Sequence, residues 1–168
     1  MGRQATNGKA TRTPRAAEES AQSQRHDLNN RLFFRLFQAA NIYEAQATKQ
    51  LNISAVQGAV LGALSRDIAQ GMPFADLYTY LGVSRQNLDA VLKGLERAQY
   101  AERIENESDR RVKIVRLTPK GIEAWRDLRE RTIEFFRQGT RGISAEQLSD
   151  CAETLTKIVR ALKDVSLQ

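Results

Sequence analysis

Ser84, Arg85, Gln86 and Asn87 are four consecutive hydrogen-bonding side chains. They stand at a helix start, because Ser is a favoured N-cap and Val83 and Leu88 are placed as a hydrophobic staple across it. Arginine offers paired donors to a guanine edge, and Asn or Gln fits an adenine edge; each bidentate pair is worth ~1–3 kcal/mol of discrimination. The backbone N–H groups behind Ser84 also suit a phosphate. Farther along, Asp109-Arg110-Arg111 forms a basic turn that runs into the β-prone stretch Val112 to Leu117. An arginine carried on a two-stranded ribbon suits the narrow, electronegative minor groove of A/T-rich DNA. The chemistry offered is recognition of a duplex rather than the making or breaking of bonds.

Nothing in the chain argues for an enzyme: there is no nucleophile and base pair, phosphate loop or metal-ligand set. One cysteine, Cys151, excludes an intrachain disulfide framework and any multi-cysteine zinc site, and one histidine, His26, excludes a histidine cluster. No cofactor and no metal is implied. His26 reads as a surface residue at a helix entry.

The elements that must position these side chains follow from periodicity and capping. Phe74, Leu77 and Tyr78 define a short helix ending near Leu81, and Gly82 permits the sharp turn before the Ser84 helix. That second helix turns Leu88, Val91, Leu92 and Leu95 inward and Arg85, Gln86, Asp89, Lys93 and Arg97 outward, the layout of a helix-turn-helix. Residues 101–105 and 112–117 read as a two-stranded hairpin, the wing. Thr118 then caps a helix with Pro119 at its first position, carrying Ile122, Trp125, Leu128, Ile133 and Phe136.

Upstream, Leu28, Leu32, Leu36, Ala39 and Tyr43 recur at helical spacing, widened by Phe33, Phe37 and Ala40 into a stripe that suits burial on two sides. Ser54 and Gln57 form a capping box behind Ile53, and Gly71 and Pro73 mark a turn and a helix entry. Ser144 and Gln147 open the last helix, on which Leu148, Cys151, Leu155, Ile158, Leu162 and Val165 form a heptad seam. The seam is too short for an independent coiled coil but suits a helix of another subunit. Cys151 on it reads as a small hydrophobe, with a redox switch as the alternative.

Residues 1–25 are polar and basic (Arg3, Lys9, Arg12, Arg15) and are expected to be a flexible tail, either idle or in non-specific contact with phosphate. The net charge of +6 is consistent with a polyanionic partner. No apolar run spans a membrane and no secretory signal is visible, so a cytoplasmic location without a membrane role is expected. The fold class expected is mainly α with a small two-stranded wing: a single domain over 26–168, with dimerisation helices at about 27–47 and 119–166 flanking a winged helix-turn-helix at about 54–118.

In this order, with Asp109, Arg111, Leu117, Thr118 and Gly121 matching every fixed position of the wing pattern D-x-R, five residues, L-T-x-x-G, the chain resembles the MarR family of transcriptional regulators. The resemblance covers about residues 27–166. It implies a homodimer whose terminal helices interlock and whose two winged helix-turn-helices meet the halves of a pseudo-palindromic operator in double-stranded DNA. Most members are repressors. Carried onto this sequence, Ser84, Arg85, Gln86 and Asn87 open the recognition helix and Arg111 is the wing arginine of the minor groove. Asp109 is the acidic residue that holds its loop. Lys93 and Arg110 complete the DNA-contacting set.

Three positions depart from the family's habit. Asp89 faces outward and would repel phosphate unless it pairs with Lys93 or accepts from cytosine; Ala90 stands where an arginine is frequent; Gln99 stands where Gly usually ends the helix. With thiol and metal sensing set aside, the family mode that remains is a small organic effector, an aromatic acid or its CoA thioester, bound between dimerisation helices and DNA-binding lobe. Phe37, Asn41, Tyr43, Trp125 and Arg129 are the candidate effector residues, with ordinary core or interface packing as their alternative reading. The rival reading of the whole chain is a winged-helix protein-interaction or RNA-binding adaptor.

Overall fold

The structure, a computed structural model, describes residues 14–166. Six helices and three short strands follow in the order α1 (Pro14–Leu51), α2 (Ala55–Leu64), β1 (Met72–Pro73), α3 (Phe74–Leu81), α4 (Arg85–Arg97), β2 (Ala101–Glu105), β3 (Lys113–Leu117), α5 (Pro119–Gly139) and α6 (Ala145–Lys163).

Local signals set most boundaries. Ser54 and Ser144 each close a full capping box, with Gln57 and Gln147 respectively reaching back to the cap N–H. Thr118 Oγ1 accepts from Gly121 N–H at 3.0 Å with Pro119 at the first helical position, and Gly82 ends α3 at φ +67°. α4 ends in a Schellman arrangement: Tyr100 N–H donates to Leu95 O at 2.8 Å and Gln99 N–H to Glu96 O at 2.9 Å. This places Gln99 at φ +62°, so the position where the family habit is Gly does take the left-handed conformation. α1 stops before Asn52, also left-handed, and Glu44 on its last turns accepts from Ala55 N–H at 3.0 Å, tying α1 to the start of α2.

α2 is the centre of the core. Its Val60, Leu61, Ala63 and Leu64 meet Leu77 of α3, Leu88, Leu92 and Leu95 of α4, Ala101, Val115 and Leu117 of the sheet, Leu128 of α5, and Ala47 and Leu51 of α1. Each fully buried leucine contributes about 1.5–3 kcal/mol relative to exposure. Trp125 reaches the same core, its ring lying against Gly62.

Two expectations change. α1 begins at Pro14, so residues 14–25, read as part of a flexible tail, are helical; residues 1–13 lie outside the described residues. The stretch 14–26 has no glycine, and helix propagation from the apolar stripe adds one hydrogen bond per residue once the nucleus exists. The sheet gains a strand: β2 and β3 form the two-stranded wing read from the sequence, and β1 joins β3, in the order β1-β3-β2. Met72 pairs with Val115 and Pro73 with Ile114, antiparallel, and a two-residue strand leaves no period for a sequence reading to find.

The stripe of α1 is not buried on two sides within this chain. Leu28, Phe33, Phe34 and Phe37 are exposed, Phe37 at 67%, as are Ile133 and Phe136 of α5. α6 buries no residue: Leu155 and Ile158 are half-buried, and Leu148, Cys151, Leu162 and, just beyond the helix, Val165 are exposed in the single chain. Apart from the ring contact of Tyr43 with Phe136 between α1 and α5, the exposed residues of these faces stay open to solvent among the described residues.

Candidate nucleic-acid interface

α3, α4 and the wing enclose one concave face of about 850 Å³. Arg85, Gln86, Asp89, Ala90 and Lys93 line it from α4, Arg111, Val112 and Lys113 from the wing, Phe74, Ala75 and Tyr78 from α3, and Arg103 from β2. Four of the residues singled out from the sequence, Arg85, Gln86, Lys93 and Arg111, are thus brought together although two elements carry them. Ser84, Asn87, Asp109 and Arg110 are exposed but do not line the concavity.

Ser84 Oγ accepts from Asn87 N–H at 3.1 Å, which satisfies one orphan donor of the helix and leaves the hydroxyl proton as a donor. The wing is organised by two side chains. Asn106 Oδ1 accepts from Ser108 N–H and Oγ–H at 2.8 and 2.6 Å, and Asp109 Oδ1 accepts from Arg111 N–H at 2.9 Å. Val112 N–H donates to Asp109 O and Asn106 N–H to Val112 O, closing the turn that presents Arg110 and Arg111. Lys113 and Glu105 pair across the base of the wing at 2.8 Å.

Asp89 pairs with Lys93 at 2.9 Å, the first of the two alternatives read from the sequence, and also with Arg103 at 2.7 Å. The hydrogen bond from Lys93, then that from Arg103, holds its carboxyl below the ordinary carboxylate value. Arg103 and Lys113 were not singled out from the sequence, and Phe74 and Tyr78 were read only as helix-forming residues. In β2 Arg103 lies opposite Val115, on the inward face, where an unpartnered charge is costly; the β2–β3 register that puts it there is set by the tertiary structure.

The wing pattern also acquires a structural cause. Gly121 is buried against the backbone of Tyr100: a Cβ there would collide with the Tyr100 carbonyl oxygen and lie 2.7 Å from its carbon. Thr118 N–H donates to that same oxygen at 3.1 Å, and Thr118 Oγ1–H to Gln99 O at 2.6 Å. The Leu-Thr-x-x-Gly stretch therefore joins α5 to the end of α4.

A second concavity, about 1030 Å³, runs between α1 and α5. Ile42, Tyr43, Phe135 and Phe136 wall it, with Gln46, Glu130, Arg131 and Glu134 among its polar lining. Tyr43 lies 6.2 Å from Phe135 and 6.3 Å from Phe136, ring centre to ring centre. Partial desolvation, then the charge of Glu44, raises the Tyr43 phenol above its ordinary value. Of the candidate effector residues only Tyr43 is here. Trp125 turns the other way, into the core against Gly62, and Phe37, Asn41 and Arg129 are exposed outside this concavity. One face of a helix cannot serve both core and groove, and periodicity does not say which face a given aromatic takes.

No helix among the described residues is long and apolar enough to cross a membrane, and no cluster of His, Cys, Asp and Glu among them could hold a metal ion.

Residues 51–112 match the model of the MarR family. The chain is 35% identical over 155 residues to the transcriptional activatory protein BadR of Rhodopseudomonas palustris, covering 90% of this chain and 87% of that protein. Among solved structures, the MepR–DNA complex of S. aureus superposes with a TM-score of 0.64 at 23% identity, over 79% of this chain and 96% of that one. PcaV of Streptomyces coelicolor, solved with its natural ligand, superposes with a TM-score of 0.68 at 21% identity, over 78% and 91%. With the helix-turn-helix and the wing in place, this chain belongs to the MarR family of transcriptional regulators and carries its winged-helix DNA-binding fold.

Proposed function

We propose that the protein binds a pseudo-palindromic operator as a homodimer, with the first turn of α4 reading the major groove and Arg111 entering the minor groove, and that a small organic effector sets its occupancy. The carrying observation is the single concave face that joins Arg85, Gln86 and Lys93 of α4 to Arg111 of the wing. The exposed side of α4 carries Arg85, Gln86, Asn87, Ala90, Lys93 and Arg97 and no large apolar residue, which argues against an adaptor that docks proteins through it. The open apolar faces of α1, α5 and α6 support the dimer, and MepR, of the same fold, is a protein solved on DNA.

The α1–α5 groove is the effector site this reading favours. Its aromatic walls suit the ring of an aromatic acid or its CoA thioester, and Gln46 and Arg131 offer donors to the acyl oxygens. Two carboxylates, Glu130 and Glu134, also line the groove; Glu134 is engaged by Arg137 and Gln138 at 2.7 and 2.6 Å. PcaV is solved with a natural ligand, which supports a ligand-responsive chain. Effector binding would act by favouring a dimer conformer whose recognition helices cannot occupy both half-sites.

The resemblance to the MarR family implies a repressor released by its effector; the relative BadR is named for activation, which supports activation as the alternative. Footprinting tests the core of the proposal: two protected half-sites related by two-fold symmetry and about 34–36 Å apart are expected. Protection without symmetry refutes the dimeric reading. A promoter reporter with and without the protein decides between repression and activation.

A further inference from the structure

Asp89, Lys93 and Glu96 lie on one face of α4, and Arg103 of β2 faces them. Arg103 Nη1 meets Asp89 Oδ1 at 2.7 Å, its Nη2 donates to Glu96 Oε2 at 3.2 Å, and its Nε lies 3.0 Å from Glu96 Oε1. The guanidinium also sits 5.8 Å from the centre of the Phe74 ring, which fixes it against α3. Lys93 Nζ holds the other oxygen of Asp89 at 2.9 Å. The two cations differ in setting. Lys93 is 67% exposed along its side chain and Arg103 only 25%.

We infer that Arg103 is a positioning residue that frees Lys93 for DNA: by keeping Asp89 neutralised from beneath, it lets the Lys93 ammonium exchange Asp89 for a backbone phosphate. This rests on the DNA-binding reading above. With two carboxylates and two cations the cluster is neutral. When Lys93 swings to a phosphate, Asp89 still has Arg103, so no uncompensated carboxylate is left facing the duplex. Without Arg103 the same movement would strand Asp89 beside the phosphates, and Lys93 would be held back. The planar fork suits the task because it grips two carboxylates at once, which a lysine cannot do.

The test is the salt dependence of binding to a mixed-sequence B-DNA duplex, because each phosphate contact contributes about 0.9 to the slope of log K against log salt. In the wild-type chain Lys93→Met should lower that slope by about 0.9 per protomer. Arg103→Gln should lower it equally by itself, and adding Lys93→Met should then change nothing. Adding Asp89→Asn to Arg103→Gln should restore both the slope and its loss on Lys93→Met, a rescue that a purely structural role would not give. A wild-type slope in Arg103→Gln, or no rescue by Asp89→Asn, overturns the inference. Should Arg103→Gln melt before binding is read, Arg103→Lys replaces it: it still neutralises Asp89, so the Lys93→Met decrement should survive, and its disappearance there overturns the inference. Failure of the wild-type protein to bind the duplex at all would instead sink the DNA-binding reading.

Discussion

Replacing Gly121 by Ala adds one methyl group where α5 touches the chain just after α4. The added carbon would lie 2.7 Å from the Tyr100 carbonyl carbon and 3.1 Å from its Cα, and would overlap the carbonyl oxygen outright. Carbon atoms rest about 3.5–4.0 Å apart, so the two backbones must separate by about 0.8 Å or more. No flexible side chain can absorb this, because the nearest atoms are all main chain. The same movement strains the bond from Thr118 N–H to Tyr100 O and the Thr118 cap. Overpacking typically costs about 1–3 kcal/mol, and backbone against backbone belongs at or above the top of that range. For a chain of this size about 3 kcal/mol lowers the melting temperature by ~6–12 °C. Thermal unfolding at one fixed protomer concentration reads this, since dimerisation makes the midpoint depend on concentration. Gly139, in the same helix, is the control: a methyl group added there meets nothing within 4 Å, and Gly139→Ala should be neutral or stabilising. A Gly121→Ala protein within about 0.5 kcal/mol of wild type would refute the packing account of the wing motif.

Gln99→Gly relieves a left-handed residue worth about 1–2 kcal/mol but adds unfolded-state entropy of about 0.5–1, so a net gain near 0.5–1 kcal/mol is expected by chemical denaturation; Gln99→Ala should gain nothing. Phe37→Glu and Leu162→Glu place charge on apolar faces left open in the isolated chain, and sedimentation should report monomers; an unchanged dimer would clear those faces of any role in association. Asp109→Ala removes the acceptor of the Arg111 N–H and should weaken DNA binding while leaving the melting temperature near wild type, as a gel shift beside a melt would show. Glu134 is held at about 2 by its hydrogen bonds, chiefly from Arg137. Because its folded-state pKa is depressed, its stabilisation is present above the ordinary carboxylate value of 4.5 and is lost as pH falls towards 2. Glu134→Gln should therefore flatten the acid limb of stability over that window, more visibly at low salt because the pair is exposed.

Local chemistry was legible wherever one short stretch carries its own physics. The caps at Ser54, Ser84, Thr118 and Ser144 need only a hydroxyl and an N–H three residues on, and the Gly82 turn needs only one missing Cβ. The alternation of apolar residues placed Leu88, Leu92 and Leu95 in the core and their polar neighbours outside for the same reason. From these alone the sequence determined the helix-turn-helix, the existence of a wing and the polar residues on the exposed side of α4. Tertiary structure decided what depends on which distant surfaces meet. It added β1 as a third strand, because two residues pair only when β3 is brought to them. It turned Trp125 to the core rather than to the α1–α5 groove, since a helix stripe specifies burial but not against what. It also set Arg103 between Asp89 and Glu96: an ion pair is fixed by distances between elements, and these appear only once β2 has packed on α4.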